Sequence, residues 1–217
     1  ELKLIKTINR SAIGAKRIVE SLLRFSRQDK PHKSSINLNN ILHSVLNLLH
    51  YRLPSSAISL KLNLEDSLPM IFADERQIEQ VFVNIINNAC DAIDEKGGDG
   101  GVIEIISYCK NDEIYFDIVN NGPEISRESI GKIFDPFYTS KEVGKGTGLG
   151  LSLCYGIIHE HGGDITVSSE FGRTQFTIRM PVVSEEDSSF YHVQDPGGDA
   201  RERTIRQFKK ILVIDDE

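Results

Sequence analysis

Two hydrophobic periods divide this chain. Ile5, Ile8, Ala12, Ala15, Val19 and Leu22 step by 3, 4, 3, 4 and 3, the seam of a helix that packs lengthwise against another. One helix cannot bury such a seam alone, so residues 1–30 predict half of a coiled-coil-type pair. Ser26 to Ser35 is polar and holds Pro31, and predicts a linker. Leu38, Ile41, Leu42, Val45, Leu46, Leu49 and Leu53 then share one helical face, and Ile58, Leu60, Leu62 and Leu64 alternate with Ser59, Lys61 and Asn63 as in a half-buried strand. Met70 to Ala73 predicts a further short strand.

Asp74, with Gln77 three residues on, predicts a capping box that opens a long helix to about Glu95. Ile78, Val81, Phe82, Ile85, Ala89, Ala92 and Ile93 form its core face, and Asn84, Asn88 and Asp91 share a neighbouring stripe. After the connection KGGDGG, Val102 to Cys109 and Glu113 to Val119 flank Lys110, Asn111 and Asp112 as a hairpin. Ser126 to Phe134 predicts a short helix, and Leu149 to Ile158 another, ended by Gly162 and Gly163. Asp164 to Ser169 and Gln175 to Pro181 are strands joined by a turn at Phe171 to Thr174. The expected class is α+β: a two-layer α/β sandwich with helices on one face of a mixed sheet, preceded by the coiled-coil-type helix. Residues 31–183 form the main domain. Residues 184–207 read as a linker, acidic and turn-forming from Ser184 to Ala200, and residues 208–217 hold an apolar strand that runs into carboxylates.

A length of 217 residues allows one substantial domain and a smaller attachment. The net charge of -7 excludes a general nucleic-acid binder, which needs a basic surface to displace counterions. Cys90, Cys109 and Cys154 are widely spaced in apolar segments and read as buried thiols of a reducing, cytoplasmic compartment. No apolar run approaches the roughly 20 residues that span a bilayer, so no membrane contact is expected within this sequence.

Candidate chemistry centres on GKGTGLGLSLCYGIIHEHGG, Gly144 to Gly163. Glycines at 144, 146, 148 and 150 lead directly into the helical pattern. Such a loop aims backbone N–H groups at one point and adds a helix N-terminus behind them, which favours an anion such as phosphate. Glycine content alone fits a flexible loop before a core helix equally well. A P-loop is excluded because Gly146, not Ser or Thr, follows Lys145. A dinucleotide fingerprint is disfavoured because the preceding DPFYTSKEV is turn-like and not a strand. The Asn84, Asn88 and Asp91 stripe suits neutral oxygen ligation of a hydrated magnesium ion held by phosphates, or a solvated helix edge. Asn120, Asn121, Gly122 and Pro123 place polar groups and a turn at a strand end, where ligand sites of layered α/β folds often lie.

In this order, QVFVNIINNACDAI (80–93), NNGPEI (120–125), FDPFYTSK (134–141) and GTGLGLS (146–152) resemble the N box, first glycine box, F box and second glycine box of the ATP-binding catalytic domain of sensor histidine kinases. That family shares the Bergerat fold with gyrase-type ATPases. The resemblance implies ATP and Mg2+ as ligands, with Asn88 on the metal and Asn84 supporting metal and phosphates. It implies a lid from Thr139 to Thr147, with Lys141 and Lys145 near the phosphates and Gly146, Gly148 and Gly150 letting the backbone close. Asp91, Asn120, Gly122, Ile125, Phe134, Tyr138, Thr139, Ser140, Thr147, Leu149 and Thr174 complete the implied nucleotide-binding set. In the related ATPases a glutamate at position 84 activates water, which Asn84 cannot do, so net hydrolysis is expected to be slow. Two departures stand out. Asn120 replaces the family's usual adenine-binding aspartate, leaving an amide oxygen that can still accept the bond without charge assistance. Glu124 replaces a glycine and brings a carboxylate towards an anion site.

IVESLLRFSR (18–27) resembles the second helix of the family's dimerisation hairpin. The phospho-accepting histidine with its acidic neighbour is not among His32, His43, His50, His159, His161 and His192, so no catalytic residue is assigned within this sequence. His159 and His161 are expected to be structural. KKILVIDDE (209–217) resembles the start of a response-regulator receiver, with Asp215 and Asp216 as its metal ligands, as in a hybrid kinase. The implied partners are the dimerisation hairpin of the same or a second protomer and a receiver domain. Two alternatives stay open: a Bergerat-type ATPase, and a degenerate kinase acting as a nucleotide-sensing or dimerising scaffold.

Overall fold

A computed structural model describes residues 31–49, 58–97, 100–141 and 146–182. The expected coiled-coil helix, Lys145, the linker and the receiver-like tail lie outside the described residues. The elements are β1 (Lys33–Ile36), α1 (Leu38–Leu49), β2 (Ile58–Leu64), β3 (Ile71–Asp74), α2 (Glu75–Lys96), β4 (Gly101–Lys110), β5 (Glu113–Asn120), α3 (Arg127–Ile130), α4 (Gly150–Glu160), β6 (Asp164–Glu170) and β7 (Arg173–Pro181). Five strands form a mixed sheet in the order β2-β4-β5-β7-β6, in which β2 and β4 are parallel and the other neighbours antiparallel. A parallel pair needs a crossover, and β3 with α2 supplies it. The fold is α+β, as expected.

Period-2 alternation sends Ile103 and Ile105 of β4, Ile114, Phe116 and Ile118 of β5, and Phe176, Ile178 and Met180 of β7 to one buried face. Against it α2 lays Ile78, Val81, Phe82, Ile85, Ile86, Ala89, Cys90 and Ile93, with the Phe82 ring edge-on to Phe116 at 5.1 Å. Ala92, expected in this core, is only half-buried and faces elsewhere. The β4–β5 turn has Asn111 and Asp112 at φ 55° and 57°, the pair of positive angles that a two-residue hairpin favours. Cys90 and Cys154 are buried free thiols, whereas Cys109 is only half-buried.

Two expectations are corrected. Part of the predicted linker is a strand: β1 pairs antiparallel with β3, Lys33 opposite Asp74 and Ile36 opposite Ile71. KSSI carries no alternation, and the partner strand imposes the conformation. The short helix expected over 126–134 is confined to α3, which Ser126 caps by accepting from the Ser129 N–H.

The capping box forms in one direction only. Asp74 Oδ1 accepts from the Gln77 N–H at 3.1 Å, but the Asp74 N–H donates to His161 Nε2 at 3.0 Å, and Gln77 Oε1 has no partner. His161 Nδ1 faces the Ile157 carbonyl at 2.8 Å, which makes Nδ1 the protonated nitrogen and keeps the ring neutral. The start of α2 is thereby tied to the end of α4. Burial lowers the His161 pKa first, and the nearby Lys33 charge lowers it further, while the Ile157 carbonyl and Asp74 oppose the shift.

The linkage sign follows: below the ordinary histidine value of about 6.5 the unfolded chain binds a proton that the folded chain resists, so stability is lost as pH falls through that value. Urea melts at pH 7.5 and 5.5 should show a steeper loss for the native chain than for His161→Gln. Equal losses would mean that His161 does not titrate on unfolding.

Candidate functional site

Beside its core face, α2 turns Asn84, Asn87, Asn88, Asp91, Ala92 and Glu95 towards a cavity of about 530 Å³, within the usual range for small-molecule sites. At 1.5 Å per residue, Asn84 and Ala92 lie about 12 Å apart along this wall. The opposite walls come from the end of β5, the segment through α3, the chain before and after residues 142–145, the start of α4, and β7.

At the Asn84 end the cavity meets the N-terminus of α4. Asn84 Nδ2 donates to the Gly150 carbonyl at 3.3 Å and approaches Cys154 Sγ at 3.7 Å. Burial pushes the Cys154 thiol up to about 12, so it stays protonated and structural. With its nitrogen engaged, Asn84 keeps its amide oxygen as the group still able to accept. No side chain caps α4 at Leu149, so the positive helix end and the N–H groups of its first turn are available to an anion. Between the two ends, Lys141 Nζ stands 2.7 Å from Asp91 Oδ2 and 3.5 Å from Asn88 Oδ1. The stripe therefore already receives a cation, and its donor set fits a hard metal ion.

Ahead of α4 the chain is fastened back on itself. The Phe137 N–H donates to the Gly148 carbonyl at 2.9 Å, with φ 68° at Phe137 and 66° at Gly148. A Cβ on Gly148 would come within 2.3 Å of the Phe137 carbonyl carbon, so only glycine fits. Tyr138 Oη donates to Ser129 Oγ at 2.7 Å and anchors the same segment to α3.

The Ala92 end is apolar, lined by Ile125, Ile133 and Phe176, and holds Asn120 and Thr174, each only 3% exposed. Asn120 Oδ1 accepts from the Gly122 N–H at 3.0 Å, and Nδ2 reaches the Thr174 carbonyl at 3.5 Å. Thr174 Oγ1 pairs with Ser169 Oγ at 2.7 Å, which also accepts from the Ile125 N–H. A Cβ on Gly122 would meet Ala92 Cβ at 2.8 Å, so this glycine lets the strand-end turn close on α2.

Of the expected nucleotide set, Asn84, Asn88, Asp91, Asn120, Ile125, Tyr138, Thr139, Ser140, Lys141, Gly146, Thr147, Gly148, Gly150 and Thr174 line the cavity. Gly122, Phe134 and Leu149 do not: Gly122 backs the wall, the Phe134 ring packs tilted against Tyr155 at 5.6 Å, and Leu149 is buried at the start of α4. Glu124 is exposed beside Pro123 at the rim. Sequence reasoning missed Asn87, Ser129, Ile133, Leu151 and Phe176, among others. Phe176 and Leu151 were legible only as core residues, and Asn87 carried a signal in the repeated amides of VNIINNA.

This cavity, anionic-ligand end and apolar end together, sits on a fold with well-matched relatives. The sequence profile described as histidine kinase-, DNA gyrase B-, and HSP90-like ATPase matches residues 73–184. The sensor kinase CckA of Brucella abortus is 34% identical over 231 residues, covering 98% of this chain and 24% of its own length. The nucleotide-free catalytic domain of the histidine kinase ThkA superposes with a TM-score of 0.62 at 32% identity, covering 70% of this chain and 96% of that domain. ThkA in complex with the response regulator TrrA gives a TM-score of 0.68 at 28% identity, over 83% of this chain and 51% of that one. The chain belongs to the family of histidine kinase-, DNA gyrase B- and HSP90-like ATPases. Within it, this is an ATP-binding domain of the histidine-kinase type. The chain spans about a quarter of the length of CckA, at 24%. Among the described residues no helix is long and apolar enough to cross a membrane.

Gly148→Ala should strain both sides of the Phe137 fastening and lower affinity for adenine nucleotides at least tenfold, with the circular dichroism spectrum unchanged. Unaltered affinity would show that the fastening does not shape the site.

Proposed function

We propose that this chain is the nucleotide-binding catalytic portion of a sensor histidine kinase, transferring the γ-phosphoryl group of Mg-ATP to a histidine other than the six in this sequence. The observation that carries the reading is the division of one cavity. A helix N-terminus stands beside Asn84 at one end, the cation-accepting Asn88 and Asp91 lie between, and a buried apolar pocket with a single amide begins about 12 Å from Asn84 along α2, roughly the length of a nucleotide. Phosphates belong at the first end and the base at the second.

Asn88 is the ligand we assign to magnesium, with phosphate oxygens supplying the rest. Among the described residues no group of three His, Cys, Asp or Glu side chains is gathered to hold a metal alone. When bound, magnesium offsets phosphate charge. Asn88 and Asp91, which Lys141 now contacts, would hold the ion, and the Lys141 ammonium, with that of Lys145, would supply positive charge to the phosphates. The first-turn N–H groups of α4 and the backbone of Gly146 to Gly150 hold the transferring group in place. Asn84 orients without accepting a proton, so water is not activated and the phosphoryl group waits for its histidine acceptor. This favours a kinase over an ATPase whose output is hydrolysis. In the transfer, the bond between the γ-phosphorus and the β,γ-bridging oxygen breaks, ADP leaves, and a nitrogen–phosphorus bond forms on the acceptor imidazole.

The likeness to CckA covers 98% of the chain and so extends beyond the family match on both sides. It supports treating the whole chain as one stretch of a sensor kinase; we read residues 1–30 as part of a dimerisation hairpin, 31–183 as the catalytic domain, 184–207 as a linker and 208–217 as the start of a receiver, within a cytoplasmic hybrid kinase, on the sequence motifs alone. ThkA, solved with its response regulator, supports a receiver domain as the downstream partner.

Calorimetric titration with a non-hydrolysable ATP analogue, with and without magnesium, tests the reading. The native chain should bind more tightly with magnesium, and Asn88→Ala should lose that enhancement while keeping magnesium-independent binding. Absence of binding by the native chain would overturn the assignment.

A further inference from the structure

Asn120 is the buried polar side chain at the apolar end of the cavity whose hydrogen-bonding capacity is not used up. Its amide orientation is pinned from both sides. Oδ1 must face the Gly122 N–H, 3.0 Å away, because the flipped amide would set two donors against each other. Nδ2 then faces the Thr174 carbonyl at 3.5 Å. One hydrogen of Nδ2 serves that long contact, and the second has no partner among the described residues. Burial at 3% exposure makes an unmade bond there costly. The Thr174 hydroxyl is itself engaged with Ser169 Oγ at 2.7 Å.

A base entering this end therefore meets an N–H that needs an acceptor beside an oxygen with one lone pair left. A 6-oxo purine supplies O6 to the N–H and its N1–H to the oxygen. Adenine can supply a ring nitrogen to the N–H and its 6-amino group to the oxygen, as in bidentate asparagine–adenine pairs. A carboxylate at the same place would have only acceptors, and O6 would face like charge. We propose that Asn120 opens the base site to 6-oxo purine nucleotides, those of hypoxanthine and guanine, alongside adenine nucleotides. This deepens the nucleotide-binding reading above and rests on it. Sites built around a hydrogen-bonding complement reject the mismatched group strongly, so the identity of this one side chain is enough to set the preference.

The test is calorimetric titration of the native chain and of the near-isosteric Asn120→Asp with magnesium and ADP, IDP or GDP. IDP isolates the 6-oxo group from the 2-amino group of guanine. The native chain should bind IDP within about threefold of ADP, the scale of a matched exchange, with GDP following IDP. Asn120→Asp should shift the ADP-to-IDP preference towards ADP by at least tenfold while retaining ADP binding, which also reports that the variant is folded. An ADP preference above tenfold in the native chain, unchanged by the substitution, would overturn the inference and leave the nucleotide site standing. Failure of the native chain to bind any of the three would overturn both.

Discussion

Helix α2 has a limited circumference, and the sheet claims the largest share of it. Ile78, Val81, Phe82, Ile85, Ala89 and Ile93 must all reach the buried face of β4, β5 and β7. At 3.6 residues per turn, that demand leaves Asn84, Asn88 and Asp91 on one flanking stripe with no freedom to rotate away. The wall of the cavity is thus a by-product of core packing. Apolar burial of this kind contributes about 25 cal/mol per Å², and a loop could not hold three polar groups in line with comparable firmness.

Helix α4 is placed against this wall by polar contacts at two levels. Asp74 and His161 join the start of α2 to the end of α4, and Asn84 joins the middle of α2 to Gly150 at the beginning of α4. The helices therefore run antiparallel with matched register. The positive end of α4 arrives beside the stripe that accepts cations, so one cavity offers complementary fields to an anion and its counter-ion. A metal-bearing polyphosphate is the ligand class that uses both.

Local signals carried much of this. The alternation of Ile103 and Ile105, the Lys110-Asn111-Asp112 turn and the Asp74 cap are short-range features, and the sheet and α2 were readable from them. The Asn84–Asn88–Asp91 stripe follows from periodicity alone. What escaped was non-local. β1 is a strand because β3 lies beside it, not because KSSI prefers to be one. Gln77 loses its half of the capping box to a histidine 84 positions later. Ile133 and Phe176 belong to the cavity through the way the strands and the segment through α3 converge, and neither side chain announces a ligand. Asn120 was readable as a departure, but which of its atoms stays free depends on Gly122 and Thr174.

The Phe137–Gly148 hydrogen bond brings together two backbone positions eleven residues apart in sequence. In polymer terms, the entropy of bringing the two ends of that segment together is spent during folding, and closure entropy grows only slowly with length, as the logarithm of the residue count. A ligand therefore meets backbone at Phe137 and Gly148 that is already joined. Lengthening the chain between Tyr138 and Thr147 would then carry little thermodynamic cost, about 0.6 kcal/mol for each doubling, so the reach and chemistry of this segment could be altered without rebuilding the Phe137–Gly148 junction.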